Sequence, residues 1–386
     1  MTDSFGLALT RLTLTNFRNY SGLRLDVSAR LIALSGPNGA GKTNLLEAIS
    51  LLSPGRGLRG ANFDELASLQ AANSWAIAAE VATPNHDVKL GTGWSIAAGE
   101  ADGGTTGRVV LIDGHLQKSS GALGEYMRML WLTPAMDRLF AGPAGDRRRF
   151  MDRLVATFDP EHSSRVAVFE KVMRERNLLL QEQRADQVWL GSLEAHMAEA
   201  AVAIAAARLA AIDALQKHIQ DQRHNTAFPW GLIAIEGEIE SLVSAMPAVR
   251  AEDEYRKLLA DSRGLDRAAG RTLRGTHRSD LNVIHGPKNM EASRCSTGEQ
   301  KALLIGLILA QGHAVKTVSG VAPVLLLDEV AAHLDRTRRE GLFQALDALG
   351  SQAWMTGTDD HLFTGLSSGA QCFHVEAGKI TEMKRT

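Results

Sequence analysis

The first part of the chain alternates between hydrophobic and polar positions. Residues 9–15 and 23–27 each alternate with a period of two, which predicts half-exposed strands. Residues 16–20 between them predict a turn, so the two strands would form a hairpin. The apolar run 31–34 predicts a buried strand. Residues 44–52 have the pattern of a helix, which the next proline and glycine end. The pattern therefore predicts a hairpin that leads into a strand, a loop and a helix.

A second group of alternating segments follows. Residues 74–81, 88–96 and 108–112 predict antiparallel strands, and Asp113-Gly114 is a typical hairpin turn. We interpret these strands as a β-subdomain beside the first strands. Residues 129–132 are apolar throughout, which predicts one more buried strand.

The spacing of apolar residues changes near residue 135 to the three-to-four-residue period of helices. Residues 198–211 are rich in alanine, which has the highest helix propensity. Phe228-Pro229-Trp230 interrupts the pattern. We therefore expect a helical insertion, an arm or a lid, over roughly residues 140–270. After it the pattern predicts a helix at 301–313 and buried strands at 321–327, 353–356 and 372–376.

The stretch between the strand at 31–34 and the following helix reads G-x-x-x-x-G-K-T. A strand, a glycine-rich loop and a helix form the setting of a phosphate-binding P-loop, and all four fixed positions match, so a chance glycine-rich turn explains the pattern poorly. Lys42 is expected to reach the β- and γ-phosphates of ATP and to act in catalysis, and Thr43 to hold Mg²⁺ through its hydroxyl. The predicted ATP-binding residues of the loop are Gly36, Pro37, Asn38, Gly39, Ala40, Gly41, Lys42 and Thr43.

Four apolar residues, 324–327, run into Asp328 and Glu329, which is the Walker B pattern. A buried strand would deliver Asp328 to Mg²⁺ at the carboxyl edge of a sheet, and Glu329 would polarise the attacking water as the catalytic base. An apolar strand that ends in two acids is moderately specific by itself, but a P-loop in the same chain strengthens the prediction. Lys42 and Asp328 are 286 residues apart (328 − 42). We therefore expect the insertion to loop out between the two halves of one nucleotide-binding fold.

The segment Ser296-Thr297-Gly298-Glu299-Gln300 precedes the helix predicted at 301–313. It resembles the signature of ABC-type ATPases, in which a serine hydroxyl, a glycine amide and a helix N-terminus bind the γ-phosphate held by a partner subunit. On this basis Ser296, Gly298 and Gln300 are predicted ATP contacts. A plain helix N-cap at Ser296, with Glu299 closing a capping box, is the alternative. Both roles are compatible, because one helix end can be capped when free and face a phosphate in a dimer.

Two further positions near the motifs each have two interpretations. Asp335 follows Walker B at the place of the D-loop, which lies across the dimer interface in the same superfamily, and it is explained equally well as the N-cap of a helix at 336–349. His361 lies where a γ-phosphate sensor is often found, although a solvent-facing loop histidine is the simpler explanation. The sequence does not decide whether His361 senses the γ-phosphate.

Composition narrows the class of protein. A length of 386 residues predicts two domains or one domain with a large insertion. Two cysteines, Cys295 and Cys372, argue against a disulfide framework or a zinc site and favour a reducing cytoplasm. No apolar run approaches the roughly 18 residues of a membrane span, and the first ten residues lack the basic region of a secretory signal. The net charge of -2 means that nucleic acid would have to bind to a local basic patch.

Together these motifs make the sequence resemble the RecF family over almost its whole length. The resemblance implies an α/β fold, an ABC/SMC-like P-loop ATPase head with a β-subdomain and an inserted helical lid or arm domain. We expect the N-terminal half of the head at 1–134, the insertion at 135–272 and the C-terminal half of the head at 273–386. The segments that carry the resemblance are Asn16-Phe17-Arg18-Asn19-Tyr20, the P-loop, residues 142–152, Arg176-Asn177, residues 275–281, the signature and Walker B.

The resemblance also implies a function. It implies a cytoplasmic, weak, DNA-stimulated ATPase that uses ATP and Mg²⁺, dimerises around two ATP molecules, clamps DNA in recombinational gap repair and releases it on hydrolysis. The expected partners are gapped or junction-containing DNA without sequence preference, a second copy of the chain, and RecO and RecR, with which it would help to load RecA. The motor subunit of an ABC-type transporter, or another SMC-like ATPase, is the alternative. Co-purification with membranes would favour the transporter.

Basic residues of the insertion and of the segment after it are candidates for contacts with DNA phosphates. Acidic residues interleave with them, so many could equally form solvated or ion-paired helix faces. We find no base-reading motif, so binding should be largely independent of sequence. The sequence does not tell which of the candidates touch DNA; they are Arg147, Arg148, Arg149, Arg153, Arg165, Lys171, Arg174, Arg176, Arg184, Arg263, Arg267, Arg271, Arg274 and Arg278.

Overall fold

The structure, a computed structural model, describes residues 6–68, 74–95, 107–182, 186–224 and 226–383. The chain divides into two compact units. The first unit comprises Met1–Asp137, Arg223–Pro229 and Thr297–Thr386, and the second comprises Arg138–Gln222 and Trp230–Ser296. Residues 273–296, which the sequence analysis placed in the C-terminal half of the head, thus group with the second unit.

The first unit contains most of the strands, whereas helices dominate the second. The strands are β1 Ala8–Phe17, β2 Tyr20–Asp26, β3 Leu31–Ser35, β4 Ser74–Ala82, β5 Val88–Ser95, β6 Val109–Ile112, β7 His115–Leu116, β8 Met129–Leu132, β9 Gly231–Glu236, β10 Asp280–His285, β11 Met290–Glu291, β12 Val324–Leu327, β13 Ala353–Thr356, β14 Gln371–Glu376 and β15 Lys379–Met383. The helices are α1 Lys42–Ser50, α2 Ala144–Phe158, α3 His162–Gln181, α4 Gln187–Gln222, α5 Glu238–Ala245, α6 Ala248–Asp261, α7 Arg263–Ala269, α8 Thr297–Ser319 and α9 Arg336–Leu349.

A sheet of order β15-β14-β3-β13-β12-β8 forms the centre of the first unit. All neighbouring strands in it are parallel except β15, which pairs antiparallel with β14. Strands β3, β8, β12 and β13 are buried at every residue, as expected for parallel strands covered on both faces. Because the strands are parallel, the residues that follow β3, β12 and β13 meet at one edge. That edge carries the candidate site.

A second sheet of the first unit, of order β2-β1-β4-β5-β6-β7, is antiparallel throughout. It confirms the predicted β-subdomain, although Ile96 of the predicted strand lies outside the described residues. The predicted hairpin at Asp113-Gly114 is also confirmed. Both residues have a left-handed backbone, with φ of 48° and 81°, which a tight two-residue hairpin turn requires.

The second unit contains α2 to α7 and a three-stranded antiparallel sheet of order β11-β10-β9. Its apolar core lies among α3, α4, α5 and α6 and includes Phe169, Met197 and Tyr255. The helical character of the insertion is confirmed, but the sequence analysis did not predict β9, which lies within the range read as helical. The pairing partner of β9 is β10, with α5, α6 and α7 between them along the chain, so the local pattern carries little information about that strand.

One helix of the described residues, α8, is long and apolar enough to cross a membrane by length and composition alone. However, 61% of its most apolar window is buried inside the structure, as in the core helix of a globular unit. Its residues Ala302, Leu303 and Val315 are fully buried.

Candidate ATP-binding site

The P-loop and the Walker B motif meet at the carboxyl edge of the central sheet. The hydroxyl Oγ1 of Thr43, the second residue of α1, donates to the carboxylate of Asp328, 2.9 Å from Oδ1 and 3.1 Å from Oδ2. Asp328 directly follows β12, and its backbone N–H donates to Leu132 at the end of β8. The fold thus brings together two oxygen-bearing side chains that are 285 residues apart in the chain.

Glycines in the loop are required by the backbone around them. Gly36 has a φ of 138°, and a Cβ there would lie 2.1 Å from the carbonyl oxygen of Val375. Gly41 has a φ of 116°, and a Cβ there would lie 2.5 Å from Nδ2 of Asn19 and 2.8 Å from the hydroxyl of Tyr20. No L-residue with a side chain fits such positions without displacing backbone or a packed neighbour. The loop is therefore a cradle built from bare backbone.

Lys42 lies in the loop and is only 5% exposed. Its Nζ donates to the carbonyl oxygens of Gly36 at 2.6 Å and Pro37 at 2.8 Å. Burial lowers the pKa of Lys42, and the nearby carboxylates of Glu329 and Asp328 oppose that shift. An ammonium held this way offers a compact positive charge at the loop, as phosphate binding requires.

Sequence reasoning assigned no role to Thr356, the last residue of β13. Its hydroxyl donates to Oδ1 of Asp328 at 2.7 Å and accepts from the backbone N–H of Glu329 at 2.8 Å. Glu329 has a left-handed backbone with a φ of 51°. Such a conformation costs a residue with a side chain about 1–2 kcal/mol and is most often retained at functional sites. The signal in the sequence was a hydroxyl residue at the end of a buried strand beside Walker B.

The turn between β1 and β2 supports the P-loop directly. Nδ2 of Asn19 donates to the carbonyl of Ala40 at 3.1 Å, and the hydroxyl of Tyr20 donates to the carbonyl of Gly41 at 3.0 Å. Nδ2 of Asn44, on α1, donates to Oδ1 of Asn19 at 2.8 Å. The sequence analysis used this turn as a mark of resemblance and did not foresee that it holds the loop.

A cavity of about 470 Å³ opens beside this turn. Arg18, Asn19, Asn44 and Ser68 are among the residues that line it. The Oγ of Ser68 is buried and makes no hydrogen bond among the described residues. The cavity thus has polar residues in its lining and adjoins Asn44, the residue immediately after Thr43.

The remaining predicted ATP contacts lie at the starts of two helices. Ser296 and Gly298 are exposed at the beginning of α8, and Gln300 is buried. Asp335 is the N-cap of α9, where its carboxylate accepts from the backbone N–H of Arg338 at 2.8 Å. The N-cap interpretation of Asp335 is therefore confirmed, while a D-loop role stays a prediction. His361 is exposed, in agreement with a solvent-facing histidine, and it lies in a short 3₁₀ helix, Asp360–Phe363.

The basic residues proposed for DNA differ widely in their surroundings. Arg176 is fully buried and bonded to Glu194 and Asp266, which removes it from the candidates for contact with DNA. Arg184 lies outside the described residues. Arg278 is exposed and has no ion pair among the described residues. Others form ion pairs within the second unit, in the pairs Arg147–Asp280, Arg149–Asp146, Arg165–Asp159, Lys171–Glu175, Arg174–Glu170, Arg263–Glu194 and Arg274–Glu238.

Comparisons with known proteins identify relatives over nearly the full length of the chain. The family model described as RecF/RecN/SMC N terminal domain matches residues 8–381. The DNA replication and repair protein RecF of Mesorhizobium japonicum is 49% identical over 372 residues, which cover 96% of this chain and 97% of the relative. The RecF of Brucella suis biovar 1 is 49% identical over 376 residues, 97% of this chain and 96% of the relative.

Solved structures agree with this fold. A structure described as the recombination mediator protein RecF-ATPrS in the RecFOR pathway matches with a TM-score of 0.85 at 22% identity, over 100% of both chains. An SMC head domain from Pyrococcus furiosus, bound to the C-terminal domain of ScpA, matches with a TM-score of 0.53 at 14% identity over 98% of this chain and 96% of that one. The fold class predicted from the sequence, an ABC/SMC-like head, is confirmed. The chain belongs to the RecF family of DNA replication and repair proteins.

Proposed function

We propose that this chain binds ATP with Mg²⁺, dimerises around the nucleotide, holds DNA while closed and releases it after hydrolysis. The observation that supports this best is the approach of Thr43 and Asp328, 2.9 and 3.1 Å between hydroxyl and carboxylate oxygens. Hydroxyl and carboxylate oxygens are the ligands that Mg²⁺ takes at P-loop sites. A module that binds a nucleotide only for structural reasons would not need Thr43, Asp328 and Glu329 together.

The residues of the edge fit an ATP–Mg²⁺ complex. Gly36 and Gly41 let the loop pack closely against Val375, Asn19 and Tyr20. Lys42 supplies positive charge at the loop. Thr43 and Asp328 would hold Mg²⁺, which when bound neutralises charge on the β- and γ-phosphates. Glu329 would accept a proton from the attacking water.

The nucleoside end of ATP fits the cavity beside the β1–β2 turn. Asn44 follows the proposed metal ligand in the chain and lines that cavity. Asn19 and Ser68 line the cavity as well, so polar residues border the space that a ribose or base would occupy. We therefore place the base and sugar against Asn19, Asn44 and Ser68.

Exposed residues at helix starts suit the proposed dimer. Ser296 and Gly298 are exposed at the start of α8, and the N-terminus of a helix favours a phosphate. A second copy of the chain would bring its Ser296, Gly298 and Gln300 to the γ-phosphate held by Lys42, with Asp335 at the interface. One nucleotide would then be shared by two protomers.

Family membership supports the setting on DNA. The curated relatives are named DNA replication and repair protein RecF, and the solved RecF is described as a recombination mediator of the RecFOR pathway. We infer that this chain acts with RecO and RecR at gapped DNA in the cytoplasm and assists the loading of RecA. The same membership removes support from the alternative of a transporter motor subunit.

The experiment that tests this proposal measures mass and DNA binding together. We expect ATP to shift the protein from monomer to dimer and to increase its affinity for duplex, single-stranded or gapped DNA, of which gapped DNA should bind best. Ser296→Arg should abolish the ATP-dependent dimer, because a bulky cation would block the shared nucleotide. Ser368→Arg, a change at another exposed serine, is the matched control. A wild-type protein that stays monomeric with ATP, or that binds DNA equally without it, would overturn the proposal.

A further inference from the structure

Thr356 lies where three elements of the candidate site converge. It ends β13, which runs between β3 and β12, and it is fully buried. In register it lies beside Leu34, just before the P-loop, while Met355 lies beside Leu327, just before Asp328. The side chain is therefore fixed at the edge where the two halves of the site meet.

The hydrogen bonds of the Thr356 hydroxyl have a defined direction. A backbone N–H can only donate, so the 2.8 Å contact from Glu329 makes the hydroxyl an acceptor there. The hydroxyl has one proton, which it directs to Oδ1 of Asp328 at 2.7 Å. A single hydroxyl thus restrains both the carboxylate proposed for Mg²⁺ and the backbone of the proposed catalytic base.

The restraint matters most at Glu329, because its backbone is left-handed, with a φ of 51°. Residues with a side chain leave this conformation readily unless surrounding contacts hold them in it. The hydrogen bond from the N–H of Glu329 to Thr356 is such a contact. The backbone conformation of Glu329 sets the direction in which its side chain, and so its carboxylate, projects. Without the hydroxyl, both the N–H of Glu329 and one oxygen of Asp328 would lose a fixed partner.

We propose that Thr356 is a positioning residue of the ATPase site, which orients Asp328 toward Mg²⁺ and Glu329 toward the attacking water. This inference rests on the proposed hydrolysis of ATP. The Thr356 hydroxyl bonds the carboxylate of Asp328 and the backbone of Glu329, and it acts through these two neighbours. Loss of such a supporting partner typically costs about 10- to 100-fold in metal affinity or activity.

Thr356→Val tests the inference, because valine keeps the shape and strand preference of threonine and removes the hydroxyl. With DNA and saturating ATP, we expect kcat to fall about 10- to 100-fold, equivalent to about 1.4–2.7 kcal/mol of transition-state stabilisation. The Mg²⁺ concentration for half-maximal hydrolysis should rise about tenfold. KM for ATP should change little, since the P-loop is intact, and Thr356→Ser should restore kcat and the Mg²⁺ requirement.

Thr92→Val is the matched control. Thr92 is also a buried strand threonine whose hydroxyl bonds a neighbouring strand, donating to the carbonyl of Val109 at 3.0 Å. This variant should lose stability and keep the kcat and the Mg²⁺ dependence of wild type. If Thr356→Val does not fold, the comparison of Thr356→Ala with Thr356→Ser gives the same test.

The outcomes separate the inference from the proposed function. Wild type that binds ATP and hydrolyses none would overturn the proposed ATPase and this inference with it. Wild type that hydrolyses ATP while Thr356→Val keeps its kcat and its Mg²⁺ dependence would overturn the positioning role alone. A loss of kcat in Thr356→Val that Thr356→Ser does not restore would assign the effect to packing of β13 and would also overturn it.

Discussion

The guanidinium of Arg18 donates two hydrogen bonds to the carboxylate of Glu47. The distances are 3.0 Å from Nε to Oε2 and 3.1 Å from Nη2 to Oε1. The pair joins the β1–β2 turn to α1, the helix that carries Lys42 and Thr43. The side chain of Glu47 is 1% exposed, and Arg59 also donates to it at 3.1 Å. Two cations therefore compensate one buried carboxylate behind the P-loop.

Replacement of Arg18 by alanine should destabilise this attachment. Removal of one partner of a buried pair leaves an uncompensated charge, which typically costs 3–5 kcal/mol. Because Arg59 remains and Arg18 is partly exposed, we expect about 1–3 kcal/mol in the free energy of unfolding. Urea unfolding measures this value, with Arg24→Ala as the control, since its pair with Asp26 is exposed and 3.9 Å long. Equal effects of the two variants would contradict the prediction.

Replacement of Glu329 by glutamine should separate binding from hydrolysis. Glutamine keeps the size of the side chain and cannot accept the proton of the attacking water. We expect the variant to bind ATP, to remain dimeric with it and to lose nearly all hydrolysis, as measured by phosphate release and by mass. Glu340→Gln, at an exposed pair with Arg336, is the control. A Glu329→Gln variant that hydrolyses at the wild-type rate would refute Glu329 as the base.

Arg208 anchors a buried polar network in the second unit. Its guanidinium donates to Asp152 at 2.9 and 3.0 Å, to Glu240 at 2.8 Å and to the carbonyl of Thr276 at 3.0 Å. Arg208→Met would leave two carboxylates without their cation, which should cost about 3–5 kcal/mol. Arg208→Lys should not restore the loss, because an ammonium lacks the planar fork.

Hydrogen exchange locates the effect of the Arg208 variants. Faster exchange is expected in α2, α4 and α5, which carry Asp152, Arg208 and Glu240. Arg256→Ala, at an exposed pair with Asp253, should change stability by less than about 1 kcal/mol. Unchanged protection in those helices of Arg208→Met would show that the network contributes little.

The sequence predicted every strand of the central sheet except β15, and both halves of the candidate ATP site, because those signals are local. The run Val324–Leu327 followed by Asp328 predicts a Walker B strand without information from the rest of the chain. The spacing of glycines before Lys42 predicts a P-loop in the same way. The partner of Thr43 could be inferred only because the P-loop and Walker B patterns were known to act together. Local pattern and shared chemistry thus account for what was foreseen.

Contacts between distant segments account for what was missed. Strand β9 depends on β10, and the roles of Asn19, Arg18 and Thr356 depend on neighbours brought in by the fold. Arg176 illustrates the same point, because a helix-face arginine and a buried arginine have the same local sequence environment. Its burial follows from Glu194 and Asp266 on other helices, which no pattern around Arg176 encodes.

His277 should make the second unit sensitive to acid. Its Nε2 donates to the carbonyl of Thr272 at 3.0 Å, so Nε2 carries the proton and Nδ1 is the buried, unprotonated atom without a hydrogen bond among the described residues. Burial lowers the pKa of His277 from its ordinary 6.5; the Thr272 hydrogen bond raises it, and the nearby Arg278 and Arg148 lower it further. As the pH falls through 6.5, His277 of the unfolded chain takes up a proton before His277 of the folded chain does. The free energy of unfolding is therefore highest above that pH and decreases as the pH falls.

The test for His277 compares unfolding free energies at about pH 7.5 and pH 5.5, a range in which histidine titrates. In the wild-type structure the ring centroids of His277 and Phe169 are 5.8 Å apart. His277→Phe keeps a ring at this place but cannot titrate, so it should lose less unfolding free energy on acidification. His196→Gln, at an exposed histidine, should keep the wild-type loss. An equal loss in wild type and His277→Phe would show that another group causes the acid sensitivity.

Arg148 and Arg278 are the arginines we expect to contact DNA phosphates. Arg148 donates to the carbonyl of Ser279 at 2.9 Å, which places its guanidinium beside the residue that follows Arg278. Neither arginine forms an ion pair with a carboxylate among the described residues, in contrast to Arg147, which pairs with Asp280 at 2.6 Å. An arginine whose charge is already paired gains less from a phosphate, because it must give up its carboxylate.

The double variant Arg148→Gln/Arg278→Gln should therefore weaken DNA binding in the presence of ATP. Loss of two phosphate contacts should reduce the slope of log affinity against log salt by about two, and it should do so equally for unrelated sequences. Arg174→Gln/Arg256→Gln removes the same charge from exposed, ion-paired helix positions and serves as the matched control. Because both variants change the net charge equally, a general electrostatic effect would lower the slope in both. An equal decrease would thus exclude a specific contact, whereas a decrease confined to the first variant would locate DNA at Arg148 and Arg278.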